Sequence, residues 1–135
     1  MKKEIKYDNE LIAIIFKCRD DKELNQGINF LTNPENPLQV GILNHPKGHV
    51  IPLHVHNYLE RVIYETQEML YVEKGKMKVS FCDNNKNKIG EEVLEEGDLV
   101  ALLKKAHGME MLKDSKIIYV KQGPYTGKKS DKRIL

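Results

Sequence analysis

The feature that most constrains this chain is its punctuation. Ten short β-branched or alternating runs follow one another, each closed by a turn signal. They occupy residues 11–17, 27–32, 38–43, 50–56, 64–72, 76–82, 88–94, 99–103, 108–112 and 116–121. The breaks are polar and short: Asn33-Pro34, Asn44-His45-Pro46, Glu73-Lys74-Gly75, residues 83–87 and Glu95-Glu96-Gly97-Asp98. In residues 76–82 the period of two is plain, with Met77, Val79 and Phe81 on one face and Lys76, Lys78 and Ser80 on the other. No amphipathic helix competes, beyond a turn near residues 57–62, so the pattern predicts an all-β sandwich or barrel. At 135 residues the chain is expected to be one domain, with a barrel core over about 38–122 and a basic tail over 123–135.

Composition narrows the function classes. Net charge is +2, which supplies no global field for nucleic acid, and the tail's Lys128, Lys129, Lys132 and Arg133 have no basic domain or stacking aromatics behind them. The longest apolar run, Leu11 to Phe16, is far short of a bilayer span, and Lys2, Lys3 and Glu4 lead into no signal-peptide pattern. Cys18 and Cys82 make no disulfide framework. The expectation is a soluble, cytoplasmic protein with no nucleic-acid or membrane partner.

The chemistry-bearing residues are histidines and one carboxylate. His54 and His56, two apart on an expected strand, project from one face together with Pro52, while Ile51, Leu53 and Val55 take the other. Glu68 has the parity of Leu70 and Val72, so it points inward if they do, and an inward carboxylate asks for a counter-charge or a metal. His107 opens a later strand and offers a third imidazole. Three imidazoles and a carboxylate suit one divalent transition ion (Mn, Fe, Ni, Co, Cu or Zn) without choosing among them. Ser-centred elbows, phosphate-cradling glycine loops and paired-cysteine zinc patterns are absent from the sequence.

Gly48-(x5)-His54-x-His56 followed by Glu68-(x6)-Gly75 resembles the first motif of the cupin superfamily, and Gly97-Asp98 followed by His107 resembles the second. The likeness spans residues 48–112 and continues more weakly to Lys121. Carried over position by position, it implies metal ligation by His54, His56, Glu68 and His107. Eleven residues separate His56 from Glu68, where the family usually has three or four. Glu60 meets the short spacing but has Gln67 where the glycine belongs, whereas Glu68 has Gly75. The chain is also similar to small single-domain cupins that share Asn44 to Ile51 (NHPKGHVI) and Lys121 to Gly127 (KQGPYTG) and resemble proteins found beside surface-polysaccharide and nucleotide-sugar enzymes.

The resemblance implies a cupin-type double-stranded β-helix, a jelly-roll barrel with the ion on its inner wall. Two open coordination positions would permit isomerase, epimerase or oxygenase chemistry on a small, polar, sugar-like molecule. Arg61, Tyr64, His49, Gln122 and Tyr125 are the candidates for gripping it at the mouth. The alternative is a non-catalytic small-ligand or sensor module. The apolar face of Ile51, Leu53 and Val55 needs cover, from the N-terminal strands or from a second subunit, and a homodimer is expected.

Overall fold

The computed structural model describes residues 1–17 and 24–135. Cys18 lies outside them. Among the described residues ten strands run in order: β1 (Lys2–Tyr7), β2 (Glu10–Lys17), β3 (Gly27–Phe30), β4 (Gly41–Asn44), β5 (Glu68–Lys74), β6 (Lys76–Cys82), β7 (Lys88–Glu95), β8 (Asp98–Leu102), β9 (Ala106–Met111) and β10 (Lys116–Lys121). One helical turn, α1 (Lys128–Asp131), follows. Among the described residues no helix is long and apolar enough to cross a membrane.

The all-β expectation holds. Every pairing is antiparallel, in a five-stranded sheet of order β1-β2-β8-β5-β10, a three-stranded sheet of order β7-β6-β9 and the β3–β4 pair. The two larger sheets face each other across a core in which Ile15, Leu70, Val72, Val100 and Leu102 meet Met77, Val79, Phe81 and Leu94. On the outer face of the five-stranded sheet, Ile14, Phe16, Leu99, Ala101 and Leu103 pack beneath Leu31, Val40 and Ile42 of the β3–β4 region. Three layers result, with the five-stranded sheet in the middle. Its central strands β2 and β8 are therefore apolar on both faces, which explains why their sequences run nearly continuous rather than alternating. In contrast β6, a wall of the outer layer, keeps the expected alternation with Met77, Val79 and Phe81 buried.

Local chemistry sets the corners. Asp8 and Asn9 adopt positive φ (48° and 64°) and close the β1–β2 hairpin, a conformation that Asp and Asn tolerate better than most residues. In that hairpin Ile5 pairs Ala13 and Lys6 pairs Leu11, leaving Ile12 as an extra residue. The bulge turns Ile12 to the same side as Ala13, into the core between the sheets. Gly75 joins β5 to β6, carrying the chain from one sheet to the other at φ 97°. A Cβ there would overlap Ser115 and the Asp114 carbonyl, so only glycine fits. The Asp98 carboxylate is buried between Lys17 Nζ at 2.7 Å and the Glu95 amide at 2.9 Å, tying β2 to the β7–β8 turn.

Several sequence expectations need correction. Strand β1 was not expected, because Ile5 and Tyr7 alternate with charged neighbours too briefly to stand out. The run at 64–72 begins only at Glu68, and the runs at 27–32 and 38–43 pair only over β3 and β4. Residues 50–56 form no strand. That stretch and the residues after it to Glu65 are unpaired, and their apolar side chains are exposed. The sheets accordingly do not close into a barrel. Among the described residues one edge of β9 and one edge of β10 have no partner strand. The basic tail folds back instead of trailing into solvent, with Asp131 of α1 ion-paired to Lys121 of β10.

Candidate functional site

Glu68 stands at the first position of β5, where the two sheets open towards solvent. It is 8% exposed and shares the inward face of Leu70 and Val72, as its parity predicts. The sheets supply one partner each. His107 of β9, in the three-stranded sheet, places Nε2 3.1 Å from Glu68 Oε2. Tyr119 of β10, in the five-stranded sheet, donates its hydroxyl to Glu68 Oε1 at 2.6 Å. The carboxylate thus bridges both layers.

Electrostatics fix the protonation of this cluster. Burial pushes the Glu68 carboxyl pKa up, but hydrogen bonds from His107 and Tyr119, with the charges of His107 and Lys121, outweigh it and leave the pKa below the ordinary value. Burial, then the hydrogen bond to Glu68 and its negative charge, push the Tyr119 hydroxyl well above the ordinary phenol range. Near neutrality Glu68 is an anion and Tyr119 a proton donor.

Two cavities flank the cluster. One of about 400 Å³ is lined by Tyr119, Lys121, Gln122, Gly123, Tyr125 and Lys132. A smaller one of about 200 Å³ is lined by Glu65, Thr66, Leu102, Leu103, Lys104, Lys105 and His107. Gln122 is fixed at the first cavity by a two-way bond with Gln67, its amide donating to the Gln67 carbonyl at 3.0 Å and its side-chain oxygen accepting the Gln67 amide at 3.4 Å. The Lys121 ammonium lies 5.1 Å from the centre of the Tyr125 ring, a cation–π distance.

The structure therefore brings together Glu68 and His107, and beside them Gln122 and Tyr125. It does not bring the remaining sequence candidates to that place. His54 and His56 are exposed, with ring centroids 5.3 Å apart in an edge-to-face pair, and His54 Nδ1 lies 2.9 Å from the Pro52 carbonyl. His49 stacks on His45 at 3.8 Å. Arg61 donates to the Leu59 carbonyl at 3.4 Å, and Tyr64 and Glu60 are exposed. Among the described residues no group of three or more His, Cys, Asp or Glu side chains is gathered as a metal would need. Sequence reading missed Tyr119. A phenol inside the otherwise aliphatic run Ile117 to Val120 was the available signal, since a tyrosine at a sheet rim needs a partner for its hydroxyl. Comparison of the chain with models of known families, with characterised proteins and with solved structures finds no match.

Proposed function

We propose that the chain is a cupin-type jelly roll holding one divalent transition metal, and that it acts as an isomerase, epimerase or oxygenase on a small, polar, sugar-like molecule. The observation that carries this reading is the meeting of Glu68 and His107, one oxygen and one nitrogen donor, at the open end of the sandwich.

Topology supports the remaining ligands. The chain winds so that β5 pairs β10 in one sheet while β6 pairs β9 in the other. Continued one strand outwards, that winding would carry the residues preceding β5 to the free edge of β9, which is what this reading requires of them. Residues 50–56 are those residues. Seated there with His54 and His56 on the inner face, where His107, Met109 and Met111 lie opposite Phe81, Val79 and Met77, they complete the donor set of three imidazoles and a carboxylate. When bound, such an ion supplies Lewis-acid polarisation or an open position for a small molecule. The protein's share is positional. Tyr119 holds a proton beside the ionised Glu68, and Gln122, Lys121 and Tyr125 present donors and a ring face to a hydroxyl-rich substrate.

Elemental analysis of untagged protein tests the reading. One ion per chain is expected for wild type, with loss in Glu68→Gln and in His54→Ala with His56→Ala. Absence of metal after incubation with several divalent ions would sink it. A second reading, a small-ligand or sensor module without chemistry, draws on the cavity beside Tyr119 and on a Glu68 whose two oxygens are already hydrogen-bonded. Saturable binding of a sugar phosphate by the metal-free protein, abolished by Tyr125→Ala, would favour it.

A further inference from the structure

We infer that the cavity between the end of β10 and the C-terminal turn is a receptor for an oxyanion, a phosphate or carboxylate group on the bound molecule, and that Asp131 holds its place on Lys121 until that molecule arrives. This deepens the reading above, on which it rests for what lies beside the ligand, by naming the charge the ligand carries.

The lining is one-sided in charge. Lys121 and Lys132 both border the cavity, and among the described residues no carboxylate does. Gln122 is pinned through its side-chain oxygen, which accepts the Gln67 amide at 3.4 Å, and this leaves its Nε2 group as a donor at the cavity wall. Two ammonium groups and an amide donor match the oxygens of a phosphate or carboxylate and repel a cation. Tyr119 and Tyr125 add ring faces for the body of the ligand. At about 400 Å³ the space falls within the range of about 300–1,000 Å³ usual for small-molecule sites. The Tyr119 ring borders this cavity while its hydroxyl rests on Glu68 at 2.6 Å, so one phenol separates an anion on Lys121 from the Glu68–His107 pair. A charge gripped there supplies binding energy away from the reacting atoms.

The oxyanion's place is already taken by one of the chain's own carboxylates. Asp131 pairs with Lys121, and the two side chains are largely enclosed, at 9% and 14% exposure. Yet α1 buries none of its four residues. Its other hydrogen bonds among the described residues are local: Ser130 Oγ to Thr126 and Gly127, and the amides of Ser130, Asp131 and Lys132 to the Gly127 and Lys128 carbonyls. The turn is therefore fastened to β10 by that ion pair and by the cation–π contact of Tyr125, both made on the Lys121 ammonium. A segment held by one carboxylate on one ammonium yields to an anion that binds the ammonium better. A ligand phosphate has that advantage, since it can meet Lys121 and Lys132 together, whereas Asp131 pairs with Lys121 alone among the described residues.

Amide NMR spectra of the metal-free full chain, titrated with inorganic phosphate, test the inference and report at once whether each variant is folded. Saturable shifts centred on residues 119–132 are expected. Binding should weaken about tenfold in Lys121→Gln and in Lys132→Gln, each of which loses a charged donor. It should tighten about fivefold in Asp131→Asn, which removes the competing carboxylate. Shifts that never saturate, or that spread over lysines elsewhere, overturn the receptor, and binding unchanged or weakened in Asp131→Asn overturns the exchange. Parallel titrations with methyl phosphate and acetate distinguish the sources: the tighter binder tells a phosphate ester from a carboxylate. Phosphate binding by a chain that takes up no metal leaves this inference standing without the metal reading, whereas metal uptake with no phosphate site does the reverse.

Discussion

Residues 76–82 and residues 50–56 carry nearly the same pattern, one apolar face alternating with one polar face, yet they differ completely in fate. Strand β6 is flanked by β7 on one side and β9 on the other, and its apolar face is sealed by the five-stranded sheet. The 50–56 segment has neither neighbour, and its apolar side chains stand in solvent. Alternation therefore specifies which face a strand would bury. It does not specify the edge that makes it a strand. That edge is supplied by residues distant in sequence, and among the described residues none pairs with 50–56.

The contrast can be broken from the packed side first. Phe81→Ala is expected to cost about 4 kcal/mol, the usual penalty for emptying a fully buried aromatic site, read as a fall in the urea midpoint. Asp98→Ala comes next, at about 2 kcal/mol, because it strips the Glu95 amide of its acceptor and Lys17 of its counter-ion, while Lys17 keeps part of its solvent. An unfolding titration in which Asp98→Ala matched wild type would show that the β7–β8 turn is held by packing alone.

Acid supplies a gentler probe. A hydrogen bond from the Asn87 side chain lowers the pKa of Asp83, burial opposes it, and the amides of Asn87 and Asn85 reinforce the lowering. With the folded pKa below the unfolded one, the stabilisation is complete above the ordinary carboxylate value and is lost as pH falls through the depressed folded value. Thermal midpoints of Asp83→Asn should therefore converge on wild type in acid and fall below it at neutral pH. The smallest effect belongs to the exposed segment: Leu53→Ala is expected to leave the stability within about 0.5 kcal/mol of wild type, read from the urea midpoint. A cost as large as that of Phe81→Ala would mean that the segment is packed within its own chain.

Much of this was legible in advance where local chemistry decides. The parity of Glu68, the alternation of β6 and the glycine turns at Gly75 and Gly97 all follow from period and backbone freedom. Strand β1 was not read, although Asp8-Asn9 marks its turn, because its alternation of Ile5 and Tyr7 is too short to stand out. Tyr119 was not, since its meeting with Glu68 depends on the β5–β10 register, which sets Tyr119 opposite Leu70 and Lys121 opposite Glu68. Register between strands some fifty residues apart is fixed by the packed core, and a single sequence carries no local mark of it. The same holds for His54 and His56, whose spacing announces a shared face but is silent about where that face goes.

The strand order also determines what happens to this chain when it is cut. The β1–β4 portion is fastened to the rest through the β2–β8 ladder, the apolar layer beneath β3 and β4 and the Leu38 amide held by the Gln67 side chain at 3.1 Å, none of which needs the exposed residues 50–64. A protease nick between residues 57 and 63 should thus release no fragment until denaturant is added. The two portions could be made as separate polypeptides and would reassemble on mixing, which turns the break into a site for split reporters and for inserting a second domain.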